Sequence, residues 1–402
     1  MSTGYREDWR AVVMLDCHAI IGPYHSGSPL LQGTTLVIDP KRTTGTPILS
    51  KDAAAEVPVP DLPAPDIRPR DVSPDVSPDV SVIIVNYGTA DLALDAVASV
   101  LDRSDRVRDI HLVDNASPGD DARLLAAAIA ARTWQGRVIL HAETTNHGFG
   151  RGNNLVMAAL AKAETPPDKI FLLNPDARLG NDAIRILAEF LDTHPKAGAA
   201  GARIEKPGPC GSLQAVTAAF RFPSLAGTFA SAVAFGPISR LFARWQVPLS
   251  PDLPTARVDW VAGAAVMLRM SALREAGFFD PEYFLYYEEV DLMRQLARKG
   301  WQTWYVAEAL AIHAEGTATG VKSGESGRRR LPAYWYHSWQ YYMRKNHGRA
   351  VALLACLAWG FGAVFNMGLS WLRGREPAAP LHFLPDLWAH AMRPLLGLRD
   401  AA

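Results

Sequence analysis

The sequence predicts an α/β protein, a Rossmann-like, mostly parallel sheet flanked by helices. Two observations carry the prediction. From Val80 onward, short apolar runs rich in β-branched residues alternate with stretches of helical periodicity, the pattern of βαβ units. The runs also stop at polar residues, Asn86, Asp114 and Asp176, and in open α/β sheets ligands bind beyond the carboxyl ends of the strands.

The elements follow in order. VSVIIVNY (80–87) is a continuous apolar run suited to a strand covered on both faces. Leu92, Leu94, Val97, Val100 and Leu101 repeat at helical spacing. A second strand, Ile110 to Val113, ends at Asp114, and a helix over about 120–132 leads to a third strand, RVILH. The loop TTNHGFGRGNN then opens a helix through Met157 and Leu160. The fourth strand, Ile170 to Leu173, is followed by Asn174, Pro175 and Asp176. Pro175 has no backbone donor and biases Asn174 away from helix, so the strand must end there. A carboxylate just past a buried strand suits a divalent cation carrying a diphosphate, Mg²⁺ or Mn²⁺. Taken alone, Asp176 reads equally well as a turn residue.

The stretch 201–254 is harder to assign, with a loose helix or lid over 229–241. RVDWVAGAAVMLR (257–269) reads as one strand entering the site. Gly263 and Ala264 are small enough for a substrate to lie against the backbone, and Trp260 stands beside them. A short helix and turn, SALREAGFFD, come next. In FFDPEYFLYYEEVDLMRQLARKGW, Val290, Leu292, Met293 and Leu296 mark a helix that ends at Gly300. Its first turn holds Glu288, Glu289 and Asp291. Carboxylates there stabilise the helix dipole with no chemistry at all, but the aromatic run from Phe278 to Tyr287 can stack on a sugar and raise a neighbouring carboxylate toward the range of a general base. WQTWYV is a strand, and His313 follows it, ahead of a Gly/Thr-rich loop. That loop and Arg328, Arg329 and Arg330 either close over an anionic leaving group or form a solvated linker.

The glycines 148, 150 and 152 do not make a dinucleotide fingerprint. Their spacing is wrong, and they follow the third strand rather than the first. A glycine-rich turn at a helix start still offers N–H groups to phosphate or room to a sugar.

Composition bounds the rest. The 402 residues carry 41 basic and 41 acidic side chains, so no nucleic-acid partner is indicated. Cys17, Cys210 and Cys356 fit neither a disulfide framework nor a zinc site, and a reducing compartment is the simplest setting. The opening MSTGYREDWR has no signal-peptide character, which places the N-terminus in the cytoplasm. Four regions follow: a segment of unassigned role (1–52), a Pro-rich linker (53–79), the α/β domain (80–348) and a hydrophobic helical C-terminal region (349–402). Ala350 to Leu372 carries no charge and is long enough to span a membrane. Glycines and Asn366 weaken that reading, and basic residues on both sides assign no orientation. Membrane attachment, spanning or interfacial, and a packed soluble helix pair both remain open.

VSVIIVNY, LVDNAS, NHGFGRGNN, LLNPDARL, GAAVMLR, the acidic helix stretch and His313, in this order, resemble a family 2 glycosyltransferase of the rhamnosyltransferase-like branch. The resemblance covers about 80–348. It implies the GT-A fold and an inverting sugar transfer from a nucleotide diphosphate sugar, dTDP-rhamnose being favoured. The acceptor would be a glycan or lipid-linked, the setting cell-surface polysaccharide synthesis at the inner face of the membrane. It implies a nucleotide-sugar site of Asn86, Asp114, Asn146, Gly148, Gly152, Asn153, Asn174 and Asp176, with Asp114 on the base or ribose. Asp176 takes the last position of the Asp-x-Asp motif and shares Mg²⁺ or Mn²⁺ with His313. Glu289 takes the catalytic base position, with Glu288 as the alternative, and Trp260, Gly263, Ala264 and Tyr287 face the acceptor. Two departures stand out: Asn174 replaces the first acid of the metal motif, and Glu288–Glu289 replaces a Glu–Asp pair. Rival readings are a sugar-phosphate nucleotidyltransferase and an inactive nucleotide-sugar or glycan binder. The first would want a basic Gly-rich loop after the first strand, which NYGTADLAL is not.

Overall fold

Val80–Asn86 (β1) is buried at all seven positions, as its unbroken apolar run requires. In the computed structural model, which describes residues 79–208, 212–313 and 328–398, it lies inside a ten-stranded sheet, paired on both sides. The segment 1–52, the linker up to residue 78, Cys17, Cys210 and the loop after His313 lie outside the described residues.

The chain runs β1, α1 (Ala90–Arg103), β2 (Val107–Asp114), α2 (Asp121–Ala131), β3 (Val138–Ala142), α3 (Phe149–Lys162) and β4 (Lys169–Leu173), as the periodicity predicts. A short β5 (Ala177–Leu179), α4 (Ala183–Thr193) and the long β6 (Ala197–Pro207) follow. Next come β7 (Leu213–Val216), β8 (Ala219–Phe220), α5 (Leu225–Val233), α6 (Gly236–Leu241), β9 (Ala256–Val258), β10 (Trp260–Val261) and β11 (Ala265–Arg269). The chain then forms α7 (Met270–Ala276), α8 (Glu288–Arg298), β12 (Gln302–His313), α9 (Ala333–His347) and α10 (Arg349–Leu372), with short helical turns beyond. The spatial order is β3-β2-β1-β4-β11-β6-β12-β5. Four strands, β11 and β5 on this path and β7 and β9 beside it on β6 and β12, run against the common direction of the other six, so the sheet is mostly parallel.

Three elements differ from expectation. The stretch 257–269 is three strands rather than one: β9 pairs with β12, β10 with β8, and only β11 enters the sheet between β4 and β6. Gly263 and its neighbours supply the bend. Residues 201–207, left unassigned, are the outer half of a fully paired strand, and 229–241 breaks into two helices at Ala234, which adopts a left-handed conformation. The third difference concerns His313, which is the last residue of a twelve-residue strand rather than a residue beyond one. β12 continues past an irregularity between Val306 and Leu310 and pairs again with β6 and β5.

At the end of the sheet away from the strand carboxyl ends, Lys169 is buried with its ammonium 2.6 Å from Asp79 and 2.7 Å from Asp192. Arg106 binds the same two carboxylates. Paired this way, buried charges are tolerated, and Asp79 is tied to the domain rather than to the linker.

Candidate active site

Asp176 is placed by the turn that ends β4. The Asn174 N–H donates to Ala264 O on the neighbouring β11 (2.9 Å), and Ala177 N–H donates back to Asn174 O (3.1 Å). The chain then leaves β4, and β5 pairs antiparallel with the end of β12, Ala177 opposite His313. This register sets His313 Nε2 2.9 Å from Asp176 Oδ1. Both residues are buried, and Asp176 Oδ2 is a buried oxygen with no hydrogen-bond partner among the described residues. Such an oxygen is costly unless something fills its lone pairs. A hard cation is the kind of group that would.

Glu288 and Glu289 open α8, and the two residues before them, Tyr286 and Tyr287, both have φ near +70°. Left-handed backbone at two non-glycine residues costs on the order of 1–3 kcal/mol each and gathers at functional sites. Glu288 is buried beneath α3, where Gly150 has no side chain to keep it away. Glu289 is half-buried, beside Gly263 and Phe149. Burial pushes Glu289 up to about 7, against backbone N–H bonds that pull it down. Burial, and then the charge of Glu289, hold Glu288 well above the usual carboxyl range. One oxygen of each is buried without a partner among the described residues.

The two halves of the site are joined through two adjacent residues. Ala264 holds the Asn174 turn, and Gly263 lies against Glu289. The turn that carries Asp176 and the residue against Glu289 are thus linked across the β4–β11 pair.

The nucleotide-side candidates divide into several groups. Asn86 is wholly buried, and its amide donates to Asp114 (3.0 Å), Ser117 (3.1 Å) and Asp121 (3.0 Å). Its carbonyl accepts from the N–H and hydroxyl of Thr89. It organises the strand ends rather than facing a ligand. Ser117 also donates to Asp114, and Asp121 accepts the Ala90 N–H at the start of α1. Asn146 and Gly148 are held by Asn115, whose amide donates to Asn146 Oδ1 and Gly148 O while its carbonyl accepts from His147 N–H. Asn153 is buried and donates to Phe149 O within its own helix. Gly148 and Gly152 sit in close packing: a side chain at 148 would strike the Phe284 carbonyl, and one at 152 would crowd Val85.

Of the acceptor candidates, Gly263 lies against Glu289 and Ala264 accepts the Asn174 N–H. Trp260 is 1% exposed, stacked on Phe220 with its indole N–H bonded to Arg221 O, and so supports the site from below rather than lining it. Tyr287 is also buried, its ring packed on Trp335 and Tyr342. Of the basic cluster, Arg328 donates to Ala379 and Pro380 carbonyls and Arg330 forms a two-pronged pair with Asp386. These two arginines fasten the C-terminal segment and are not available to cover a leaving group.

Asn115, Ser117, Asp121 and Asn154, the last clipping Phe279 through both its amide N–H and its amide carbonyl, hold the candidate residues in place and are contacts that the sequence reading missed. A third layer was also missed: α9 clamps the acidic stretch. Ser338 donates to Leu285 O, Tyr341 and Lys345 to Asp280, and Lys345 and Asn346 to Asp291.

Comparison with known proteins follows the same stretch of chain. The chain is 33% identical over 184 residues to N-acetylglucosaminyl-diphospho-decaprenol L-rhamnosyltransferase of Mycobacterium tuberculosis, covering 44% of this chain and 58% of that one. It is 27% identical over 169 residues to rhamnosyltransferase WbbL of Escherichia coli, covering 42% and 61%. The alignments thus span about three-fifths of these relatives. Among solved structures, mannosyltransferase PcManGT from Pyrobaculum calidifontis, in complex with GDP-Man and Mn²⁺, superposes with a TM-score of 0.44 at 15% identity, covering 82% of this chain and 88% of that one. The family model for glycosyltransferase like family 2 matches residues 78–331, more than half of the chain, with Asp114, Asp176, Glu288, Glu289 and His313 inside the match and the α9 clamp beyond it, and the protein belongs to that family.

Proposed function

We propose that the protein is an inverting, divalent-metal-dependent glycosyltransferase. It moves L-rhamnose from a nucleotide diphosphate donor, dTDP-rhamnose by preference, to a lipid-linked or other glycan acceptor in cell-surface polysaccharide synthesis at the inner face of the cell membrane. The observation that carries the reading is the pairing of Asp176–His313, with its unfilled carboxylate oxygen, and the raised Glu289 on either side of the Asn174–Ala264 bond. The rhamnosyl donor and the lipid-linked acceptor are taken from the names of the M. tuberculosis and E. coli relatives.

Asp176 and His313 would hold Mg²⁺ or Mn²⁺. Among the described residues no third acid, histidine or cysteine joins them, so the ion's remaining positions would fall to diphosphate oxygens and water, the usual habit of Mg²⁺. When bound, the ion offsets the negative charge that grows on the departing diphosphate. Asn86 and Ser117 fix the Asp114 carboxylate at the end of β2 for the nucleoside. Glu289 accepts the acceptor hydroxyl proton as that oxygen bonds the anomeric carbon and the carbon–phosphate-oxygen bond breaks, its electrons leaving with the diphosphate. Attack comes from the face opposite the leaving group, so one displacement inverts the anomeric centre. Of the two glutamates, Glu289 is the one with solvent access, and Glu288, beneath α3, keeps its proton and supports its neighbour.

The test is turnover of a panel of nucleotide sugars by the full-length protein, with and without Mg²⁺ or Mn²⁺, beside Asp176→Ala and Glu289→Gln. The reading requires one donor consumed only with metal, loss of donor binding in the first variant, and donor binding without turnover in the second. A protein that binds no nucleotide sugar overturns it.

A further inference from the structure

Helix α10 lies beyond the stretch matched by the family model, and its two faces differ sharply. Ala352, Ala355, Cys356, Gly362, Ala363, Asn366 and Ser370 are buried. At 100° per residue they fill an arc of about 120°. Leu354, Leu357, Phe361, Val364, Phe365, Trp371 and Leu372 are exposed and fill an arc of similar width on the opposite side. Phe361 is 67% and Trp371 81% exposed. An apolar face of this size on a folded chain marks an interaction surface.

The face continues onto α5, α6 and the turn after them. Phe361 stacks on Phe229, which meets Phe242, which meets Trp245; Phe365 meets Phe235. Leu241 projects nearby in sequence at 74% exposure. Arg244 lies 3.8 Å over the Trp245 ring and Arg373 5.1 Å over Phe235. Aromatic rings with arginines laid across them suit the boundary between acyl chains and headgroups.

Charge decides what covers the face. The two segments that build it, 223–251 and 328–375, contain no Asp or Glu at all, yet the whole chain is neutral. Arg240, Arg244, Arg344, Arg349, Arg373 and Arg375 are exposed on them. A second copy of the chain would bring the same positive charges together, whereas an anionic lipid surface complements them.

We propose that the outer face of α10, with the α5–α6 aromatics and their arginines, docks on an anionic phospholipid bilayer, α10 lying in the plane of the interface rather than across it. The helix is long enough to cross, about 36 Å for 24 residues, but its inner face is committed to the catalytic unit. Gly362 packs on Ala232, and Asn366 donates to Val233 O and accepts from Ala378 N–H. A spanning α10 would have to give up these contacts. The inference deepens the reading above by naming the surface on which a lipid-linked acceptor is met, and rests on it only for that acceptor.

The experiment is co-sedimentation of the full-length protein with vesicles of phosphatidylcholine alone or with phosphatidylglycerol, beside donor hydrolysis in vesicle-free buffer. Expected is binding to the anionic vesicles, weakening with salt and released by alkaline carbonate. Phe361→Glu/Trp371→Glu should lower it by about tenfold or more, and Arg373→Glu/Arg375→Glu by about fivefold per residue. Both variants keep the circular dichroism and donor hydrolysis of the parent. The proposal is overturned by any of four results: no binding to anionic vesicles, resistance to carbonate (a spanning helix), undiminished binding by Phe361→Glu/Trp371→Glu, or a parent dimer that this variant makes monomeric. Loss of donor hydrolysis with vesicle binding intact would count against the transferase reading alone.

Discussion

Lys345, on α9, places its ammonium 2.6 Å from Asp291 and 2.6 Å from Asp280 at once. Asp291 is two residues past Glu289 in the first turn of α8, and Asp280 begins the loop that carries the strained Tyr286–Tyr287 pair. One cation thus ties both ends of the segment that carries Glu289, from a helix beyond the family match. Burial would raise Asp280, but the Lys345 contact and further hydrogen bonds, Tyr341 among them, hold it below the usual range. Removing the cation by Lys345→Ala leaves the buried Asp291 short of its charge partner, at a cost of about 3 kcal/mol. The expected result is a lowered Tm and a fall in kcat larger than the change in donor KM, because the donor side of the site is built on other elements. Lys345→Arg should recover part of both. Equal loss in donor binding would refute the positioning role.

Glu289 offers a pH test. Burial raises its carboxyl to about 7, so below that pH the proposed base is protonated and idle. Turnover should climb through neutral pH and level off above it, and Glu289→Gln should remove turnover at every pH by about 10²-fold or more. Stability runs the opposite way. A carboxyl raised on folding adds stability that is complete below its unfolded value and is lost as pH rises through about 7, so Tm should fall slightly between pH 5 and 8 and fall less in Glu289→Gln. Glu288→Gln should keep the rising limb, since Glu288 retains its proton. A Glu288→Gln variant that loses the limb while Glu289→Gln keeps it would exchange the two roles.

The Asp176–His313 pair predicts a metal requirement in binding as well as turnover. Asp176→Asn keeps the shape of the side chain but removes the charge that the unfilled oxygen would bring to a cation. Calorimetry of a nucleoside diphosphate should show affinity gained with Mn²⁺ in the parent and about tenfold less of that gain in Asp176→Asn or His313→Ala. An unchanged metal dependence in both variants would move the metal elsewhere.

The local patterns were plain in the sequence because local rules govern them. The β1–β4 half follows from apolar runs and helical spacing, and the end of β4 follows from Pro175. Legibility stopped where long-range pairing takes over. Nothing in WQTWYVAEALAIH signals that the strand survives an irregularity at 306–310 and reaches the site. That outcome depends on β5 crossing to it from the far side of the Asp176 turn. Trp260 misled for a similar reason: its stacking partner, Phe220, is forty residues away. The glycines of NHGFGRGNN had a clear signal with an open meaning, and the structure shows them meeting protein at Phe284, Phe279 and Val85.

Gly148 therefore becomes a test of how the site is assembled. It starts α3 with φ of +77°, and any side chain there would strike the Phe284 carbonyl, in the loop that leads to Glu288. Alanine meets both difficulties. The left-handed backbone costs about 1–2 kcal/mol, and the clash adds about 1–3 kcal/mol unless the loop shifts. Relief can come only by moving the 284–289 loop away from α3, which carries Glu289 off its position beside Gly263 and Phe149. Gly148→Ala should thus lower Tm by several degrees and reduce turnover by about 10²-fold, with the nucleoside diphosphate still bound, since Asp114 and Asp176 stand on β2 and β4. Gly119→Ala, an exposed glycine with positive φ and open space around it, is the control and should lose some stability without the loss of turnover. If Gly148→Ala instead loses the nucleoside diphosphate and keeps its Tm, the glycine makes room for the ligand rather than for Phe284.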